Sequence, residues 1–233
     1  MNERNSSEQK QGIKRIDAEY ISHEIQHLFH FDKGFPFTFK ELLLRPGKAV
    51  REYLTENREK YVKPIVFLVF SAVIYTFLIH LFHIEVLIFN IKGLGKTAGW
   101  ENSMYIDAIN NWVDSHLGYS ALIIGFFMAL WAKMFFYKKG YNIFEIFVLL
   151  SYIFGVFFIA VLIFLLLSKL TGLFIIAQIG VYLVQVYFVW AIGQFFGEKN
   201  FLNYVKSFIC LFLGIITYKY SLFLLAYLIH FFK

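Results

Sequence analysis

A lysine within an apolar run is the residue of this chain best placed to do chemistry. Lys219 lies about midway along the run at 204–232, where a charge is costly unless it faces protein or water. In the preceding run, Gln178, Tyr182 and Gln185 recur at i, i+4 and i+7, which is one helical face. Counting outward from the turn between the runs gives them a depth similar to that of Lys219. We predict a polar intramembrane cluster of these four residues, serving either as a transport path or as structural interhelical hydrogen bonds.

A second charged pair flanks a short hairpin. Lys133 and Glu145 lie six residues either side of Lys139, so equal spacing places them at equal depth near the membrane surface. We predict an ion pair, with a functional carboxylate as the alternative.

Three histidines near the N-terminus have the spacing of metal ligands. His23, His27 and His30 recur at helical spacing, and histidines at i and i+4 share a helix face. No cysteine adds to them, because Cys210 is the only one and lies in an apolar run. A solvated polar stripe explains them better, so we expect no metal site and no cofactor.

Catalytic signatures are absent from the sequence. It contains no P-loop, no GxSxG elbow and no HExxH zinc helix. No cluster of Asp and Glu lines an apolar run, as a metal-dependent membrane enzyme would need. We therefore expect no catalytic residues and rank a membrane-embedded enzyme last among the function classes.

The composition is that of a membrane protein. Hydrophobic residues make up 59% of the chain and charged residues 16%, against about 25% charged in ordinary soluble proteins. Five apolar runs are each long enough to cross a bilayer, which takes about 20 residues. They predict an all-α polytopic membrane helix bundle with spans at 65–89, 119–137, 143–168, 173–196 and 204–232.

Basic residues predict the orientation of this bundle. Twelve of the 22 Lys and Arg residues lie between Arg4 and Lys63, and cytosolic segments carry such an excess. We predict a multi-pass protein of the bacterial inner membrane, with its N-terminus in the cytosol and its C-terminus outside. The outer loop, 90–118, has apolar residues at helical spacing and predicts an amphipathic helix at the outer interface.

The polar segment before the first span is predicted to be partly ordered. Residues 1–15 are expected to be disordered, and 16–63 to form an amphipathic helical segment in the cytosol at the membrane surface. Thr38 and Glu41 have the spacing of a capping box, which predicts a helix start at Thr38. The Arg45-Pro46-Gly47 sequence should end that helix, and a second helix should cover 47–60.

This segment carries a basic face. Together with its apolar positions, that face predicts contact with an anionic lipid surface. Because the charge adjoins a membrane, we expect no nucleic-acid partner. The residues assigned to the membrane surface are Arg45, Lys48, Arg51, Arg58, Lys60 and Lys63.

The same segment contains a pattern of residues made up of Phe31-Asp32-Lys33-Gly34, Thr38, Leu42-Leu43-Leu44-Arg45-Pro46-Gly47, Tyr53-Leu54, Arg58 and Tyr61 to Pro64. With this pattern the chain resembles a bacterial polytopic membrane family catalogued as domain of unknown function 3667. Longer members resemble a fusion of this core to an N-terminal zinc-ribbon-like segment. Because this chain has no cysteine before Cys210, we expect no zinc-dependent role. The family lends no activity.

The sequence leaves two alternative functions open. The first is a non-enzymatic scaffold or accessory protein that acts through its cytosolic segment on a protein partner or a second copy of the chain. The alternative is a small transporter or channel built around Lys219 and the Gln178, Tyr182 and Gln185 stripe.

Overall fold

In a computed structural model, the chain is described over residues 34–84, 91 and 104–231. This part folds into eight α-helices, and the predicted all-α class is confirmed. The helices are α1 (Phe35–Leu44), α2 (Pro46–Thr55), α3 (Pro64–Leu81), α4 (Met104–Ser115), α5 (Leu117–Phe135), α6 (Ile143–Thr171), α7 (Phe174–Gly197) and α8 (Phe201–Phe231).

Five of these helices, α3 and α5 to α8, are long and apolar enough to cross a membrane. The chain is therefore a multi-pass membrane protein, as the apolar runs predict. Helix α6 is the centre of the bundle, since 72% of its most apolar window is buried, against at most 44% in the other four. It packs against α3, α5 and α7, and α8 closes the bundle against α5 and α7.

The first span is shorter than hydropathy alone indicates, and the last is as long as predicted. Helix α3 ends at Leu81 rather than at 89, because a turn follows in which His83 adopts a positive φ of 49°. Helix α8 is continuous over Phe201–Phe231, so the backbone does not break around Lys219.

The first two helices and the residues up to Lys63 form one unit, which we call the cuff (residues 34–63). Helix α1 begins at Phe35 with Pro36 in its first turn, a position where proline fits because its fixed φ suits a helix start. The predicted capping box is therefore wrong, since the cap is Gly34 and Thr38 lies inside the helix. Arg45 separates α1 from α2, which confirms the predicted turn.

The cuff packs on the core of the bundle through aromatic rings. Phe35 stacks on Phe67 of α3 with ring centroids 4.7 Å apart, and Phe67 lies 5.9 Å from Tyr152 of α6. Gly155 allows this contact, because a Cβ there would come within 2.4 Å of the Phe67 ring.

Helix α4 confirms the helix predicted in the loop after the first span. It packs against α5 and α8. Only some of its apolar residues are buried: Ile109 is buried, but Met104 and Trp112 are exposed. Asn110 takes a buried place instead, where its Oδ1 accepts a hydrogen bond of 3.0 Å from the Ile91 backbone N–H.

Candidate functional site

The densest set of long-range polar contacts in the described residues joins the cuff to the end of α7. The N–H of Gly47 donates a 2.8 Å hydrogen bond to Oε1 of Gln194. A Cβ at position 47 would lie 2.4 Å from the backbone nitrogen of Phe195. Only a glycine therefore allows α2 and α7 to approach this closely.

Arg51 holds the last turn of α7. Its Nη1 donates to the carbonyls of Gln194 at 2.6 Å and Phe195 at 2.8 Å. These belong to the last four carbonyls of the helix, which lack partners of the usual intrahelical kind. Nδ2 of Asn203 serves the remaining two, at 3.3 and 2.8 Å. Arg51 thus acts as a cap from a different part of the chain, and its positive charge suits the negative end of the helix dipole.

Two tyrosines reach from the spans to the backbone of the cuff. The hydroxyl of Tyr187 in α7 donates to the carbonyl of Leu42 at 2.9 Å, and that of Tyr152 in α6 donates to the carbonyl of Val62 at 2.7 Å. The N–H of Val62 donates in turn to Oγ1 of the buried Thr38 at 3.0 Å. Hydrogen bonds from the bundle therefore fasten the cuff at the end of α1 and just before α3.

A carboxylate organises the interior of the cuff. Glu52 accepts hydrogen bonds from Lys60, from Tyr61 at 2.9 Å and from Arg45 at 3.2 Å, and Arg45 also pairs with Glu41. The hydrogen bond from Lys60 lowers the pKa of Glu52 below its ordinary value, and the bond from Tyr61 acts in the same direction. Burial raises the pKa of the Tyr61 hydroxyl. Glu52 therefore stays ionised at neutral pH and links α2 to the segment that leads into α3.

The six basic residues assigned to the membrane surface divide into two groups. Arg58 and Lys63 are exposed, and their side chains make no hydrogen bond or ion pair within the described residues. Lys48 pairs with Glu198, just after α7, at 3.5 Å. The members that contact protein groups are Arg45, Lys48, Arg51 and Lys60.

A protein-family model matches the part of the chain that contains the cuff. Residues 32–76 match the family model described as a protein of unknown function (DUF3667). The match covers α1, α2 and most of α3, including Gly47, Arg51 and Glu52, and it confirms the resemblance drawn from the sequence. The searches of curated proteins and of solved structures found no match.

The four residues of the predicted intramembrane cluster lie in different environments. Lys219 is half-buried in α8, whereas Gln178, Tyr182 and Gln185 lie on the exposed face of α7. No hydrogen bond joins them to Lys219 in the described part of the chain. The packing of α7 explains this, because Gly180 leaves room for the ring of Phe164 and turns that side of α7 toward α6.

Lys133 and Glu145 are not paired in the structure. Lys133 Nζ donates to the carbonyl of Tyr141 at 2.7 Å. Glu145 forms a capping box with Asn142 at the start of α6, with bonds of 2.7 and 2.9 Å. The local cap competes successfully for the carboxylate, and the Asn-x-x-Glu spacing that signals it is readable in the sequence.

In the part of the chain that the structure describes, no group of three His, Cys, Asp or Glu side chains could hold a metal ion. The predicted histidine stripe at His23, His27 and His30 lies outside these residues. Cys210 is buried in α8.

Sequence reasoning missed the bundle side of the cuff interface, namely Gln194, Tyr187 and Tyr152. One signal was available, since Gln194 is a polar residue close to the end of an apolar run. The tyrosines gave none, because tyrosine is common throughout these spans.

Proposed function

We propose that the chain is a non-enzymatic scaffold or accessory protein of the bacterial inner membrane that acts through its cuff. The observation that carries this proposal is the fastening of the cuff to α7 by Gly47 and Arg51. A surface that is already fixed loses less conformational entropy when a partner binds. A cuff that is bonded to the bundle is thus better suited to recruitment than a loose tail.

The outer surface of the cuff combines basic and apolar side chains. Arg58, Lys63 and Lys40 are exposed, and Leu44 keeps 61% of its surface accessible. This combination suits anionic lipid headgroups. It also suits a protein partner with acidic and apolar groups.

We assign the cuff end of the bundle to the cytosol. The turns at this end carry Lys138, Lys139 and Lys199, and Phe136 of one turn region stacks on Phe196 of the other at 3.9 Å. Short cytosolic loops carry such an excess of lysine and arginine.

Copurification from native membranes tests the scaffold proposal. We expect a partner that is retained by the wild-type chain and by Lys219→Met. The same partner should be lost with Arg58→Glu/Lys63→Glu, which changes the surface, and with Arg51→Met, which loosens the cuff. If every copurifying protein is retained by the cuff variants, the scaffold proposal is wrong.

A second candidate, a transporter or channel, rests on Lys219. A half-buried charge inside a span often marks a transport path. In liposomes, Lys219→Met should then abolish solute flux without changing thermal stability. If the variant merely destabilises the bundle, the lysine has a structural role.

A further inference from the structure

One face of α7 carries polar side chains at exposed positions, which would contact lipid in a membrane. Gln178, Tyr182 and Gln185 are exposed, with Tyr182 at 67%. They alternate with exposed apolar residues, of which Val186 is the most accessible at 66%. No helix of the described chain covers this face, which consists of Ile175, Gln178, Ile179, Tyr182, Leu183, Gln185 and Val186.

Gln185 is the polar residue of this face that lies deepest in the membrane. It lies eleven residues after the first residue of α7 and twelve before the last, so its amide is near the middle of the bilayer. Water is absent there, and an unpaired amide in hydrocarbon is costly. Neither Gln178 nor Gln185 has a hydrogen-bond partner among the residues that the structure describes. The partner of these amides therefore lies outside the described residues, and a second copy of the chain can supply it.

We propose that the same face of a second copy of the chain covers α7, with a two-fold axis along the membrane normal. A glutamine amide carries both donors and an acceptor, so two symmetry-related Gln185 side chains can satisfy each other. Such an axis keeps the two α7 helices parallel and brings each residue of the face to the same depth in both copies. Polar side chains commonly join membrane helices in this way. This assembly is independent of the scaffold role and adds an interaction surface on the spans.

Single-cysteine cross-linking tests the predicted interface directly. In a Cys210→Ala background, Val186→Cys places a thiol on the proposed face, and Val73→Cys on α3 is the matched control, since Val73 is 58% exposed. After oxidation in native membranes, we expect covalent dimers of the Val186→Cys chain and none of the Val73→Cys chain.

A second variant tests the role of the amides. Gln178→Leu/Gln185→Leu should fold, because leucine suits a lipid-facing position, and should weaken the dimer about tenfold or more in lipid nanodiscs. Val73→Leu should leave the dimer unchanged. The proposal is overturned if Val186→Cys and Val73→Cys cross-link equally or not at all. It is equally overturned if Val186→Cys joins a different protein, or if the double variant dimerises like the wild type.

Discussion

Replacing Arg51 with methionine should release the cuff from the end of α7. The guanidinium makes hydrogen bonds of 2.6 and 2.8 Å to two carbonyls in the last turn of that helix. A hydrogen bond to a charged group contributes about 1.5–3 kcal/mol. Because Arg51 is only half-buried and water can replace part of each bond, we expect a total loss of about 2–3 kcal/mol. That corresponds to a shift of about 30- to 150-fold in the docking equilibrium.

Hydrogen–deuterium exchange in lipid nanodiscs measures this shift at the Gly47 amide, which donates to Gln194 across the interface. Arg58→Met is the matched control, because Arg58 is exposed and its side chain makes no hydrogen bond or ion pair with the described part of the bundle. We expect exchange at Gly47 to accelerate by the factor above in Arg51→Met and to stay unchanged in Arg58→Met. Equal protection in the two variants would refute the assignment of Arg51 as the cap of α7.

Four further perturbations act on the same interface and on the bundle behind it. Gly47→Ala places a Cβ 2.4 Å from a backbone nitrogen of α7, so limited proteolysis should cut the cuff in this variant and spare it in the wild type. The hydrogen bond from Lys60 lowers the pKa of Glu52 below its ordinary value of 4.5. Ionised Glu52 therefore stabilises the cuff fully above that value, and the stabilisation is lost as the pH falls through the lower pKa of the folded state. Amide exchange in the cuff should depend on acid pH for this reason, and Glu52→Gln should abolish that dependence. Tyr75→Phe removes a buried hydroxyl that has no hydrogen-bond partner in the described part of the chain, and thermal unfolding should show it neutral or stabilising. Tyr152→Phe breaks a bond to the cuff and should destabilise by about 1 kcal/mol.

The architecture of the spans was readable from the sequence because it depends on local composition. Apolar runs of membrane length and their connecting turns predict five helices, and the described residues contain five that are long and apolar enough to cross a membrane. The Arg45-Pro46-Gly47 turn was equally readable, since proline restricts the residue before it wherever it stands in the fold.

The start of α1 shows where two local signals compete. Thr38 and Glu41 have the spacing of a cap, but Pro36 also fits a first helical turn and lies earlier in the chain. The helix begins at the earlier signal, and the Thr38 hydroxyl is then free to bond Val62. Nothing local to Thr38 indicates that distant partner.

The buried face of α7 was not readable for a different reason. Its residues are apolar nearly all round, so hydropathy does not select a side. The choice is made by the fit of Gly180 against Phe164 of α6, which is a property of two helices together. The same limit applies to Arg51, because its partners are backbone carbonyls and leave no mark in the sequence.

Zero-length cross-linking of the unmodified chain tests the docking of the cuff most directly. A carbodiimide joins a lysine to a carboxylate only when they are in contact, and Lys48 Nζ lies 3.5 Å from Glu198 Oε2 across the interface. Lys60 and Glu52, which pair within the cuff, serve as the internal positive control. In native membranes we predict that mass spectrometry finds both linkages. A Lys60–Glu52 linkage without any Lys48–Glu198 linkage would contradict the docked cuff.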